Sequence, residues 1–208
     1  MKDNLIITIG REFGSGGRAI GQMVAEKLDI AFYDKELIAM AADDSGLSKE
    51  IIESNDEKPF NSFFYSLAMD ARTAFGQTET SINQKAFLAQ FNTIKKLAKE
   101  GPCVIVGRCA DYALSDHENL ISIFITADME EKISIVSSLR GISKDKALDL
   151  IQKTNKKRAN YYNYYTNRAW GASGNYDLCI NSSRTGYDGA AELIIKYSQI
   201  KEKLLEIN

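Results

Sequence analysis

The run Gly10-Arg11-Glu12-Phe13-Gly14-Ser15-Gly16-Gly17-Arg18 concentrates the residue types that bind anions. Glycines at 14, 16 and 17 let the backbone approach a ligand closely. A helix starting beside them adds free N–H groups and the positive end of its dipole, so phosphate binding is the chemistry this loop serves. The spacing departs from the common phosphate loop G-x-x-x-x-G-K-[ST]. With Gly16 as its last glycine, Arg11 stands at the first, Gly17 at the lysine and Arg18 at the hydroxyl residue. Arg18 or Arg11 must then bring the cation that the lysine supplies to the β- and γ-phosphates, and no Ser or Thr follows to hold magnesium. A rival pattern also fits: Gly14-x-Gly16-x-x-Ala19 matches G-x-G-x-x-[GA], with Asp34 twenty residues on at the place of a dinucleotide fold's ribose-binding acid. Gly10 to Phe13 intervene between strand and glycines, a length typical of the larger phosphate loop, so an NAD(P)-binding Rossmann-type protein is the weaker alternative.

Three further groups can act on the same ligand. Asp34-Lys35 and Gly107-Arg108-Cys109-Ala110-Asp111-Tyr112 follow short apolar runs, which puts them at the carboxyl edge of a sheet, where open α/β folds bind ligands. Arg108 can grip a phosphate with two parallel hydrogen bonds, and Asp34 or Asp111 can receive a sugar hydroxyl or base amine. Taken alone, Arg108 and Asp111 would serve equally as a structural ion pair. Lys153, Lys156, Lys157, Arg158 and Arg168 form a cationic stretch interleaved with Tyr161, Tyr162, Tyr164 and Tyr165. Its readings are a solvated helix face with tyrosines packed on the sheet, a base-stacking surface for single-stranded nucleic acid, and a lid carrying arginines over a transferring phosphoryl group. His117, the only histidine, sits in a polar loop and reads as a surface residue.

These groups need a scaffold. Leu5-Ile6-Ile7-Thr8-Ile9 is a β-branched run of the kind buried on both faces of a parallel sheet. Ile20, Met23, Val24 and Leu28 follow at helical spacing, then a short strand Ala31-Phe32-Tyr33. From Lys35 to Glu100 the pattern is helical: one helix through Leu37 and Met40, one carrying Phe60, Phe64 and Leu67, and a long one carrying Phe87, Phe91, Ile94 and Leu97. Residues 54–59 and 76–81 read as connections. Strands are expected at 103–106, 120–125 and 176–180, with helices at 129–139, from a Ser143 cap toward Tyr165, and at the end through Leu193, Ile194, Tyr197, Ile200 and Leu204. Five apolar strands separated by helices predict an α/β protein with a doubly wound five-stranded parallel sheet. It forms a single domain over 1–208, with a helical insertion at 44–100 and a lid region at 143–171.

Composition bounds the function. Of the 208 residues 44% are hydrophobic and 26% charged, with 26 Lys+Arg against 28 Asp+Glu. A near-balanced chain is not a domain whose whole surface binds nucleic acid or acidic lipid. Only six uncharged residues precede Arg11 after the polar start, too few for a signal core or a membrane span, so the chain reads as cytoplasmic with no membrane partner. Cys103, Cys109 and Cys179 lack a C-x-x-C pair and read as reduced, mostly buried thiols. No metal-ligating set is recognised. Phe60, Phe63, Phe64 and Leu67 crowd one segment and would suit the core or a homo-oligomer contact.

In the residues 9–18, 32–38, 106–112, 164–171 and 176–182 the sequence resembles the cytidylate kinase-like family, a branch of the nucleoside monophosphate kinases among the P-loop kinases. The resemblance implies a P-loop kinase fold and transfer of the γ-phosphoryl group of ATP, with Mg²⁺, to a nucleoside monophosphate such as CMP. It places donor phosphates on Gly14, Ser15, Gly16, Gly17 and Arg18, with Arg11 beside them, and the acceptor on Asp34, Lys35, Arg108 and Asp111. Arg158 and Arg168 become the lid arginines that, with Arg18, act on the transferred group. The loop lysine and its Ser/Thr are missing, Cys109 replaces an aspartate, and 44–100 does not match the nucleoside-binding region. A catalytically inactive nucleotide-binding regulatory protein is therefore the alternative from another class.

Overall fold

The computed structural model describes residues 4–57 and 82–207. The expected helix through Phe60, Phe64 and Leu67, the contact reading of those residues with Phe63, and the connection at 76–81 lie outside the described residues. The strands are β1 (Ile6–Arg11), β2 (Ala31–Tyr33), β3 (Cys103–Val106), β4 (Leu120–Thr126) and β5 (Leu178–Asn181), in the order β2-β3-β1-β4-β5. All four pairings are parallel, with Ile7 opposite both Val104 and Ile121. Parallel strands need crossovers. These are supplied by α1 (Gly17–Leu28), α2 (Glu36–Ser45), α3 (Lys49–Asn55), α4 (Ile82–Glu100), α5 (Ala110–Ala113), α6 (Met129–Arg140) and α7 (Lys144–Thr166), and α8 (Ser182–Ile207) follows the last strand.

The period-two alternation of β1 sorts the core into two layers. Ile7 and Ile9 point to one face and pack with Ile20 and Val24 of α1 and Ala190 and Ile194 of α8. Ile6 points to the other and packs with Leu37 of α2 and Ile94 and Leu97 of α4. Helices on both faces explain why the strands read as continuous apolar runs. Ser143 caps α7 as expected, its hydroxyl accepting from the Lys146 N–H at 3.4 Å.

Local chemistry accounts for the differences from the sequence reading. Residues 54 and 55 belong to α3 instead of a connection: Ser48 caps this helix through the Ile51 N–H, and Ile52, wholly buried, anchors it. The short α5 also escapes an apolar-periodicity reading because it is one turn long. The last strand starts at Leu178 and not at Tyr176, which packs its ring on Phe124 instead. The final helix is broken at Gly186 (φ 65°, ψ 174°), so a second helical run begins at Tyr187.

The strand order also corrects the dinucleotide reading. In the classic dinucleotide fold β2 lies beside β1. Here β3 separates them, so the end of β2 sits two strand spacings, about 10 Å, from the end of β1. Among the described residues no helix is long and apolar enough to cross a membrane.

Candidate active site at the carboxyl edge of the sheet

Every strand ends on the same edge, and the chemical groups collect there. β1 ends in Arg11 and runs through Glu12 and Phe13 into the glycine loop, where Gly14 (φ 85°) and Gly16 (φ 75°) adopt left-handed backbone. Gly16 is the N-cap of α1 without a side-chain cap, so the first-turn N–H groups at Gly17, Arg18 and Ala19 have no intrahelical acceptor and face outward. The loop is tied at three points. Ser15, buried, bonds the Glu12 carbonyl through Oγ at 2.9 Å and its own carbonyl accepts from Ser182 Oγ at 2.8 Å. The Phe13 N–H donates to Asn155 Oδ1 of α7 at 2.7 Å. Glu12 Oε2 accepts from Lys132 Nζ of α6 and Thr126 Oγ1 of β4, both at 2.6 Å.

A group of four arginines and three carboxylates lies beside this loop. Gly107, Arg108 and Cys109 take left-handed backbone in succession (φ 78°, 55° and 56°), turning the chain sharply where β3 stops. The turn folds Arg108 back into the edge, 4% exposed, where Nη1 donates to the Val106 carbonyl at 3.2 Å. The same guanidinium binds both oxygens of Asp56 through Nε and Nη2 at 3.0 Å and lies 3.4 Å from Asp34 Oδ1. Asp34 Oδ2 accepts in turn from Arg18 Nε at 2.8 Å. Glu57 joins the rest: Oε1 accepts from Arg11 Nη1 at 2.6 Å and Oε2 from Arg158 Nε at 3.0 Å, while Arg158 Nη1 bonds the Arg11 carbonyl at 3.1 Å.

The charge balance shows in the titration of these groups. Burial by itself would raise the Glu57 carboxyl, but the cations of Arg11, Arg158 and Arg108 reverse that and hold it well below the usual carboxylate range. Burial and the adjacent Arg11 push Arg158 down to about 10, against the pull of Glu57. Arg108 moves up, since Asp56, Glu57 and Asp34 outweigh its desolvation.

The structure thus brings together Arg11, Gly14, Ser15, Gly16, Gly17, Arg18, Asp34, Arg108 and Arg158. Three expected site residues do not join this group of ion pairs. Lys35 is exposed at the N-cap of α2. Asp111 does not pair with Arg108: its carboxylate accepts from Tyr162 at 2.6 Å, and burial raises its pKa. Arg168 stacks 5.4 Å from the Tyr112 ring and acts electrostatically on Asp111, away from Glu57. Arg18 leans over Phe32 toward Asp34, with 53% of its side chain exposed. The tyrosines of the cationic stretch are packing residues. Tyr161 and Tyr162 are buried, and Tyr165 stacks on Phe87 at 3.9 Å, while Tyr164 stays 52% exposed. Lys153 and Lys156 are solvent-facing, as read. His117 is half-buried, with a buried Nδ1 that has no hydrogen-bond partner among the described residues.

Sequence reasoning missed Asp56, Glu57, Asn155 and Lys132, which reach the site across 52, 101, 142 and 120 residues of chain. The one available signal was unpaired acid: a Ser48-capped helix ending in Asp56-Glu57 points two carboxylates from its end. The cysteines are free, with Cys103 and Cys109 buried and Cys179 exposed. Among the described residues no three His, Cys, Asp or Glu side chains form a metal-binding group. A magnesium ion carried by phosphate oxygens needs only one or two protein carboxylates, and Asp34 is the carboxylate shared between the glycine-loop helix and Arg108.

Comparison with known proteins agrees with this architecture. An uncharacterized protein from Eubacterium ventriosum, solved by crystallography, is 34% identical, with a TM-score of 0.71 over 94% of this chain and 98% of that one. Shikimate kinase from Bacteroides thetaiotaomicron shares the fold at 14% identity and a TM-score of 0.52, again over 94% and 98% of the two chains. No curated protein matches. The sheet with its flanking helices is a P-loop kinase fold, and the cytidylate kinase-like family matches residues 6–184, so that the glycine loop, both strand-end turns, Arg158 and Arg168 all fall within it: the chain belongs to the cytidylate kinase-like family.

Proposed function

We propose that the protein is an ATP-dependent phosphotransferase whose acceptor is a nucleoside monophosphate of the CMP type. The observation that carries the reading is the convergence of the glycine loop with Arg11, Arg18, Arg108 and Arg158 on one sheet edge. Phosphoryl transfer needs positioning and charge neutralisation more than covalent chemistry. Gly14 to Gly17 and the first turn of α1 cradle the donor phosphates, with Arg18 as the cation nearest the missing lysine. Magnesium, held mainly by the phosphate oxygens, supplies further charge neutralisation. Arg108 receives the acceptor phosphate, with Lys35 at the open rim, and Arg11 and Arg158 face the transferred group. Arg168 and Asp111, set among Tyr112 and Tyr162, serve the acceptor side. Residues 44–100 contribute acceptor recognition and 143–171 the lid. No general base is required when the acceptor is already an anionic phosphate.

The second reading, a nucleotide-binding regulator without turnover, is favoured by Gly17 and Arg18 standing at the lysine and hydroxyl positions. Incubation of the purified protein with ATP, Mg²⁺ and a panel of nucleoside monophosphates separates the two. ADP formation that depends on one acceptor supports the kinase. ATP binding with no turnover across the panel supports the regulator.

A further inference from the structure

Asp56 and Glu57 present carboxylates to the donors that phosphate oxygens would use. Arg108 holds Asp56 with two parallel hydrogen bonds of 3.0 Å, the fork geometry that arginine applies equally to a phosphate. Glu57 lies between Arg11 and Arg158, whose like charges require an anion there. That anion position adjoins the glycine loop: Arg11 is the residue on which β1 ends, and a Cβ on Gly17 would lie 2.5 Å from the Arg11 Cβ.

The seating of the acidic pair is held from outside as well as strained from within. The Asp56 carbonyl accepts from Lys157 Nζ at 2.9 Å, and Oδ1 accepts from Gln90 Nε2 at 3.1 Å. Glu57, however, has φ 49°, a left-handed backbone that a non-glycine residue keeps only under constraint. In that conformation its carboxylate spans the two arginines, one oxygen to each. An anion that took those arginines would leave Glu57 without these two partners.

We propose that Asp56 and Glu57 are a resident competitor for the phosphate site, a self-inhibitory contact that substrate phosphate must displace, so that anion binding and release of the α3 end are one event. The inference rests on the reading of the arginine group as a phosphate site. It implies selectivity by charge. A monoanion cannot replace two carboxylates spread over three arginines, whereas a polyphosphate spans them.

Titration calorimetry with inorganic pyrophosphate tests this on the full chain and on Asp56→Asn, Glu57→Gln, the double variant and the control Glu53→Gln, an exposed acid one turn earlier on α3. Each single change at the competitor is expected to tighten pyrophosphate binding about tenfold, the scale of one charge-assisted contact, with the control unchanged. Equal or weaker binding by folded variants overturns the proposal while leaving the phosphate site intact. Failure of every protein to bind removes the phosphate site and the proposal together. A second measurement does not depend on the stability of those variants: an environment-sensitive dye on Glu53→Cys in a Cys179→Ser background. A saturable spectral change with pyrophosphate supports displacement of the α3 end, and binding without any change overturns it.

Discussion

Lys132 Nζ lies 2.6 Å from Glu12 Oε2 with only 4% of the lysine side chain exposed, so an α6 cation is spent inside the protein on holding the entrance of the glycine loop. Thr126 adds a second bond to the same oxygen, and the α6 backbone closes the contact, since a Cβ at Gly14 would lie 3.3 Å from the Lys132 carbonyl. Lys132→Met is expected to strand the Glu12 carboxylate, which keeps partial solvation at 23% exposure. A broken buried pair costs about 3–5 kcal/mol, and the low end applies here. The melting temperature should fall by roughly 6–12 °C at that end of the range. An unchanged Tm in a thermal melt would show that the pair contributes nothing.

Gly16 is required twice over. Its φ is 75°, and an added Cβ would lie 2.2 Å from the Tyr187 ring. Gly16→Ala is expected to destabilise by about 1–2 kcal/mol from backbone alone, with a further loss from the ring. In a Tyr187→Ala background the ring contribution vanishes and the backbone part remains. A double-mutant cycle by urea unfolding reads this as a positive coupling, and additive effects would exclude the contact.

How much of this was legible in the sequence follows from how far each interaction reaches along the chain. The strands and the glycine loop were readable because a doubly buried strand is a continuous apolar run and because glycines at 14, 16 and 17 mark the turn into α1 directly. Arg108 was readable from its place after β3. Its partners were not: Asp56 and Glu57 occupy a helix end that looks like any polar connection, and nothing local marks them as the counter-ions of Arg108 and Arg158. Arg108 and Asp111, three residues apart, read as parts of one ligand site, with a structural ion pair as the alternative, but the left-handed turn at Gly107 to Cys109 gives the two side chains different partners. Short-range spacing misled where a strained turn intervened.

The Glu57 carboxyl titrates far below its ordinary value of 4.5 in the folded chain because Arg11, Arg158 and Arg108 overcome its burial. A depressed folded pKa contributes stability that is fully present above the unfolded value and is lost as pH falls below it toward the folded one. Unfolding free energy should therefore decline from about pH 5 downward. Glu57→Gln should show a shallower decline in that window. Parallel pH profiles of the two proteins, followed by denaturant melts, would contradict the assignment. Asp111 works in the opposite sense. Its raised pKa makes its contribution greatest below the ordinary value of 3.8 and lost as pH rises through the folded one, so Asp111→Asn removes a loss of stability instead of a gain.

Arg108 joins the stability and the proposed chemistry of the site, and two substitutions separate these roles. Arg108→Ala leaves Asp34 and Asp56 facing each other across a space that is nearly closed to water, which costs about 3–5 kcal/mol. Arg108→Lys keeps the charge but gives up the fork, since an ammonium cannot make two parallel bonds to one carboxylate or one phosphate. The lysine variant is thus expected to recover much of the melting temperature while its acceptor KM still rises more than tenfold, the scale of a charge-assisted contact of roughly 1.5–3 kcal/mol. Thermal melts and steady-state kinetics on the three proteins check both halves. Recovery of KM together with stability in Arg108→Lys would mean that the guanidinium is there for its charge alone, and the fork geometry would then have no part in acceptor recognition.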